Sequence, residues 1–226
     1  MANPTINHST FPATFTTGTA QTVPSSTGNL SVVTVCLGIG ATVTSVTDNK
    51  SNSYVSAGTR GTDTHGGDCE IWYAKNAATG ITSVTVNYSG AVNSAGCGFY
   101  DIGSADTVSP LDAYNSLSNQ AVSGSLSGPS VTPGSSGDCI LTCVATGGTA
   151  SAPGGGFTLD ASTNGDGFAH ELNATTSAQT PTWTQSPTDT WCGATAAFKG
   201  ASTFSPDDDG WRAGKMSAPD STVSVW

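Results

Sequence analysis

Short runs rich in Val, Ile, Thr and aromatic residues recur along most of the chain, and Gly, Ser, Asn or Asp separates each run from the next. Such runs are typical of β-strands joined by tight turns. Apolar residues at i, i+3 and i+4 are not sustained over three turns, so the sequence predicts no amphipathic helix. The spacing favours an all-β protein, an antiparallel β-sandwich with a jelly-roll-like topology.

The charge balance narrows the classes of partner. Charged residues make up only 10% of the 226 residues, and the net charge is −10 with six Lys and Arg. A protein that binds phosphate backbones needs clustered basic residues, so no nucleic-acid partner is predicted. The same sign disfavours anionic membrane surfaces.

The N-terminal stretch MANPTINHSTFPATF has neither the basic nor the apolar region of a secretory leader. The longest apolar-rich run, LSVVTVCLGIGATV, is too short and too rich in Thr to span a bilayer. We therefore expect a protein made in a host cytoplasm. A secreted protein whose leader has been removed is the alternative.

Two arms flank the predicted sandwich domain at 28–200. The N-terminal arm is 1–27 and the C-terminal arm is 201–226. Each arm carries a few apolar residues among polar ones: Phe11, Phe15, Trp211 and Trp226. Such arms can extend the sheet of a neighbouring subunit, so we expect these four side chains to anchor assembly. Folding back onto the same domain is the alternative.

Within the sandwich domain, two segments resemble each other, 28–103 and 138–200, with a Ser/Gly/Pro-rich passage between them. Each opens on a strand with a cysteine and closes on a strand with a Cys-Gly pair. This similarity predicts two pseudo-repeated β-meander halves that together form one sandwich. Coincidence in a biased composition is the other interpretation.

The chain has six cysteines: Cys36, Cys69, Cys97, Cys139, Cys143 and Cys192. If the first and last strands of each half are neighbours, the expected disulfides are Cys36–Cys97 and Cys143–Cys192. Cys69 and Cys139 would then pair with each other or reach another subunit. The alternative is that all six are reduced and fill the core as small hydrophobes. Under either interpretation Cys97, between Gly96 and Gly98, is structural rather than nucleophilic.

The residues around His65 are the best candidate for chemistry. Asp63, Asp68, Cys69 and Glu70 lie close to it in sequence. Their spacing matches no metal motif, and acidic neighbours do not activate a thiol. This pattern favours a solvated loop that leads into a strand.

Other motifs are weaker. His170 lacks the second histidine of a metalloprotease helix, and DDDG at 207–210 lacks the alternate spacing of a calcium loop. Glu70 and Glu171 fall in corresponding strands, but nothing marks them as a catalytic pair. The tryptophans within strands, Trp72, Trp183 and Trp191, are predicted to be core residues. We therefore predict no catalytic, cofactor or metal site, and no enzyme activity.

Several strings carry a resemblance to a known module: TVTSVTDNKSNSYVSAG, CEIWYAKNAATGITSVTVNYSG, GFTLDASTNGDGFAHEL and AAFKG. Together they resemble an unnamed β-sandwich module that recurs in bacteriophage structural proteins and in bacterial secreted proteins. The resemblance covers about residues 28–200. It implies a jelly-roll-like sandwich with a structural or adhesive role and carries over no catalytic residues. The cysteines depart from the module's usual pattern, which suggests an added stabilising role.

These observations predict a non-enzymatic structural protein of a phage virion surface, a capsid decoration or fibre-type subunit. We expect it to be held by its arms and stabilised by disulfides. The expected partners are the major capsid protein or further copies of the chain in a homo-oligomer. The alternative is a secreted carbohydrate-binding or adhesion module with a surface glycan as ligand. A hydrolase with an unrecognised acid pair is a third reading.

Overall fold

The computed structural model describes residues 2–12, 18–38, 40–92 and 94–201. In this part of the chain the regular structure consists of β-strands. They are β1 (Thr5–Thr10), β2 (Ala20–Thr22), β3 (Leu30–Leu37), β4 (Val43–Asp48), β5 (Val55–Ser56), β6 (Gly61–Thr62), β7 (Asp68–Lys75), β8 (Ser83–Tyr88), β9 (Ala95–Gly103), β10 (Leu111–Ser127), β11 (Asp138–Thr146), β12 (Thr149–Gly154), β13 (Thr158–Thr163), β14 (Asp166–Ala174) and β15 (Thr182–Phe198). The described residues include no helix with the length and apolarity needed to cross a bilayer.

The strands form two large sheets and one small sheet. The first large sheet has the order β1-β9-β3-β7-β5, and β6 also pairs with β7. The second has the order β10-β15-β11-β14-β13, and β12 also pairs with β15. The small sheet has the order β2-β8-β4. All pairings are antiparallel, which confirms the predicted all-β sandwich.

The two large sheets share one plan. The first strand of each predicted half, β3 or β11, lies at the centre of its sheet. All eight residues of β3 and the first eight of β11 are buried, because their nearly continuous apolar runs are covered on both faces. The last strand of each half, β9 or β15, pairs directly with that central strand. The predicted adjacency of first and last strands is therefore confirmed.

Three hydrophobic cores separate the layers. The central core lies between the two large sheets and includes Leu30, Val32, Ile71, Tyr100, Ile102, Leu141, Phe168, Ala194 and Phe198. The small-sheet core lies between the first large sheet and the small sheet and includes Val33, Val35, Val43, Val46, Val84, Val86 and Phe99. The far core covers the opposite face of the second large sheet and includes Leu126, Ile140, Phe157, Ala169, Trp183 and Trp191.

The described part of the N-terminal arm lies against its own domain. Strand β1 extends the first large sheet beside β9, and β2 joins the small sheet. The ring of Phe11 lies 5.5 Å from Tyr100 and 5.8 Å from Phe168, centroid to centroid. The expectation that Phe11 anchors a neighbouring subunit is therefore corrected, because its ring packs on the central core of its own chain. Phe15, Trp211 and Trp226 lie outside the described residues.

The two glycines beside Cys97 make room for aromatic rings. A Cβ atom on Gly96 would lie 3.1 Å from the ring of Phe168, and one on Gly98 would lie 2.9 Å from the ring of Phe11. Such contacts are closer than ordinary van der Waals distances, so a larger side chain would displace these rings. The glycines allow close aromatic packing at these positions.

Candidate functional site

The most distinctive chemical group in the structure is a set of buried cysteines in the central core, here called the thiol cluster. It contains Cys36 and Cys69 from the first large sheet and Cys143 and Cys192 from the second, each with 0% exposed surface. The sulfur of Cys69 lies 3.6 Å from that of Cys36 and 3.7 Å from that of Cys192. The sulfurs of Cys36, Cys69 and Cys143 all lie within 4.8 Å of one another.

The predicted disulfides are absent, since all six cysteines are free. Cys36 lies opposite Gly96, whereas Cys97 lies opposite Val35, so the two side chains point to opposite faces of the first large sheet. Cys97 is in the small-sheet core, with its sulfur 3.7 Å from the hydroxyl of Tyr88. The expected Cys36–Cys97 bridge is therefore excluded in this fold.

The second expected bridge fails for a different reason. Cys143 lies opposite Ala194, and Cys192 lies opposite Ala145, so the two residues share a face but are offset by two positions. Cys139 lies four residues before Cys143 on the same strand, about 13 Å away at the usual rise of a strand, so it does not join Cys69. The structure instead corresponds to the alternative in which six reduced thiols are buried.

The sulfurs of the thiol cluster differ in acidity. Burial raises the pKa values of Cys36 and Cys69 well above the usual range of a thiol. The pKa of Cys143 is lowered by hydrogen bonding between its sulfur and the neighbouring thiols of Cys36 and Cys69. Backbone hydrogen bonds from Ala194 and Val35 lower it further, although burial opposes them.

A polar cleft of about 190 Å³ lies beside the turn that contains His65. The side chain of Asp63 accepts backbone N–H bonds from His65 at 2.8 Å and from Gly67 at 2.7 Å, which closes this turn. The His65 Nδ1 atom lies 2.8 Å from the Thr190 hydroxyl and 3.7 Å from Asp189. The imidazole is largely exposed and Cys69 faces the central core, so these two side chains do not form a Cys–His pair.

The cleft is acidic. Its lining includes Asp63, Asp166 and Asp189, together with Asn164. Burial raises the pKa of Asp166 to about 8. Carboxylates in a cleft can accept hydrogen bonds from hydroxyl groups or attract cations, so this cleft is suited to a small polar ligand.

The two glutamates do not face each other. Glu70 accepts the backbone N–H of Val43 at 2.8 Å and the indole N–H of Trp72 at 2.9 Å, beneath the small sheet. Glu171 pairs with Ile140, whose side chain lies in the far core. The two carboxylates therefore lie on opposite outer faces of the sandwich, and they cannot form the facing pair that glycoside hydrolysis requires.

Other polar groups have structural partners. His170 lies on β14, and its Nδ1 atom is 2.6 Å from Asp160. The Tyr100 hydroxyl donates to the second oxygen of Asp160 at 2.9 Å, so this network joins the two large sheets. Trp183 and Trp191 are buried in the far core, as predicted.

The passage between the halves contains an element that its composition did not indicate. Strand β10 is 17 residues long and forms an edge of the second large sheet. Its first part is covered by β6, where the backbone N–H of Thr62 donates to the hydroxyl of Ser118 at 3.1 Å. Beyond Ser118, no strand in the described ranges pairs with its outer side. Val122, in this free part, is 61% exposed.

Comparison with known proteins found no relative of this chain. No family model matches the chain, and no curated protein and no solved structure matches it.

Proposed function

We propose that this protein is a non-enzymatic structural protein of a phage virion surface, a capsid decoration or fibre-type subunit. Three separate cores hold its layers together, which suits a rigid building block. The resemblance of residues 28–200 to a module of bacteriophage structural proteins supports the same class. The predicted disulfides are not part of this proposal, because the cysteines are free.

The observation that carries the proposal is the free edge of β10. A strand edge with unpaired N–H and C=O groups is a template for a strand from another chain. Proteins usually protect such edges with charged residues, proline or β-bulges. The free part of β10 has register shifts between Leu117 and Ser125, but it contains no proline and no charged residue, although the chain carries a net charge of −10. This edge is suited to a strand from a second copy or from the major capsid protein.

The C-terminal arm supplies a second contact in this proposal. The described chain ends at Ala201, whose backbone N–H donates to Ser104 and whose carbonyl accepts the N–H of Ala2. The arm that follows carries Trp211 and Trp226, the two side chains proposed to bind a neighbouring subunit.

A particle-incorporation assay tests the proposal. We expect deletion of 202–226 and, separately, Val122→Lys to reduce co-sedimentation with virions. The matched control is Val55→Lys, which alters another exposed valine, on β5 of the other large sheet, and should leave incorporation unchanged. Circular dichroism checks that each variant is folded. Full incorporation of both test variants would contradict the proposal.

The acidic cleft favours one alternative, a secreted carbohydrate-binding or adhesion module. Its carboxylates would accept hydrogen bonds from sugar hydroxyls. Titration with a glycan panel, followed by calorimetry, would detect saturable binding. If the cleft is the site, Asp189→Asn should weaken that binding, whereas Asp106→Asn, outside the cleft, should not.

A further inference from the structure

The thiol cluster brings together four sulfur atoms from four strands at the centre of the protein. Two strands belong to each large sheet, and every sulfur is shielded from solvent. We propose that the thiol cluster is a structural metal site that binds one soft divalent ion, with Zn²⁺ as the best fit. This inference is independent of the proposed role in a virion.

The distances fit a mononuclear site. Zinc–thiolate bonds are about 2.3 Å long, which makes the edge of a ZnS₄ tetrahedron about 3.8 Å. The two measured sulfur–sulfur distances are 3.6 and 3.7 Å, and three of the sulfurs lie within 4.8 Å of one another. An iron–sulfur cluster places several irons and sulfides between the cysteines and needs a wider opening.

The fourth ligand of the proposed site is Cys192. Cys36, Cys69 and Cys143 form the compact group, and Cys192 contacts it through the sulfur of Cys69. Three thiolates would hold the ion in this arrangement, and the sulfur of Cys192, which lies outside the compact group, would have to move closer to complete the tetrahedron. Structural zinc sites are usually closed by four protein ligands.

The ligand chemistry also fits. Thiolates are soft ligands, and a set of four favours zinc over magnesium or calcium. Four uncompensated thiolates would be too costly to bury, whereas a dication offsets much of their charge.

The cleft lies close to the site. Its lining includes Leu37, which follows Cys36 in the sequence, and Ala145, which lies directly opposite Cys192 on the neighbouring strand. The carboxylates of Asp63 and Asp189 in the same cleft attract cations from solvent. A bound ion would then join the two large sheets at the centre of the fold, so metal binding would contribute to the free energy of unfolding.

Two rival arrangements use the same atoms. Cys36 and Cys69 lie directly opposite each other on neighbouring strands, so an oxidised chain could link them by a disulfide. Their sulfurs are 3.6 Å apart, far longer than the bond of about 2.05 Å. The second rival is a cluster of neutral thiols that only fills space. Each rival predicts a chain without metal.

The decisive experiment measures metal in the full-length chain purified under reducing conditions. We expect one zinc per chain by elemental analysis and native mass spectrometry. Replacement by Co²⁺ should give the sulfur-to-cobalt charge-transfer bands and ligand-field bands of a tetrahedral thiolate site. Removal of the ion by a chelator should lower the midpoint of thermal unfolding.

The six buried cysteines supply matched controls. Cys69→Ser and Cys143→Ser should lose the metal, whereas Cys97→Ser and Cys139→Ser, which are equally buried but outside the cluster, should keep one ion per chain. Cys192→Ser should weaken Co²⁺ binding and change its spectrum, because one thiolate is replaced.

Three results would overturn the proposal. They are a wild-type chain that contains no zinc and takes up no Co²⁺, a Cys36–Cys69 disulfide in the metal-free chain, and metal retention in both Cys69→Ser and Cys143→Ser. If the serine variants do not fold, the metal content and Co²⁺ spectrum of the wild-type chain decide the question alone.

Discussion

The two large sheets follow the same strand plan but are covered differently. In each, the first strand of a half is central, with the last strand of that half on one side and an intermediate strand on the other. The outer face of the first sheet is covered by the small sheet, whereas that of the second is covered by aromatic side chains of the far core. The inner faces meet in one shared core, which contains the thiol cluster.

The closing strands show where the similarity ends. Cys97 and Cys192 both precede a glycine on the last strand of their half. Cys97 lies opposite Val35 and faces outward, while Cys192 lies opposite Ala145 and faces inward. The register of one strand against its neighbour thus decides which cysteines can come into contact. The same Cys-Gly pair therefore places its cysteine in the small-sheet core on β9 and in the central core on β15.

The largest expected effect compares the shared core with an outer core. Phe168→Ala should lower the free energy of unfolding by about 3–5 kcal/mol, because the ring is fully buried between the sheets and contacts Phe11. Phe157→Ala, in the far core where 6% of the residue is exposed, should cost less. Urea denaturation measures both. Equal losses of unfolding free energy in the two variants would show that the central core and the far core contribute equally to stability.

A second prediction concerns the buried Asp138 at the start of β11. Burial and the neighbouring Asp112 raise its pKa to about 7, and Lys199 opposes them. The folded protein holds this proton between about pH 4 and pH 7, where the unfolded chain releases it. Stability should therefore fall as pH rises through this window, by about 2 kcal/mol from pH 5 to pH 7 for this group.

The Asp138→Asn variant tests this prediction. It should remove the pH-dependent loss, so the variant should be more stable than wild type at pH 8. Asp106 is a control whose pKa shifts in the opposite direction, because hydrogen bonds from the backbone of Ser109 and Val108 lower it. An unchanged pH profile in Asp138→Asn would contradict the assignment.

The third prediction compares the glutamates of the two halves. Glu70→Ala should cost about 1–3 kcal/mol, because it leaves the buried N–H of Val43 without its acceptor. Glu171→Ala should cost less, since one of its carboxylate oxygens is buried without a hydrogen-bond partner and burial raises its pKa. Chemical unfolding of the two variants, side by side, measures the difference.

The smallest expected effect is at the free edge of β10. Val122→Lys should change the free energy of unfolding by less than about 0.5 kcal/mol, because the side chain is mostly exposed. The same variant should reduce incorporation into particles. A large loss of stability would mean that this edge supports the sheet rather than assembly.

Local patterns in the sequence determined the class of fold. The β-branched runs and polar turns predict strands because strand and turn preferences act over a few residues. The adjacency of first and last strands and the burial of Trp183 and Trp191 also followed from such patterns. The Ser-rich composition of 111–127 hid strand β10, whose pairing depends on β15 rather than on its own propensity.

Only the tertiary structure decided which cysteines lie close together. A shift of one residue in register reverses the face of every side chain, and the strand and turn patterns used in the sequence analysis do not reveal which register forms. Cys36 and Cys69 are 33 residues apart, and Cys69 and Cys192 are 123 residues apart, so no local spacing marks them as one group. Packing of the two large sheets brings their sulfurs together, because the strands that carry them lie at the centre of the shared core.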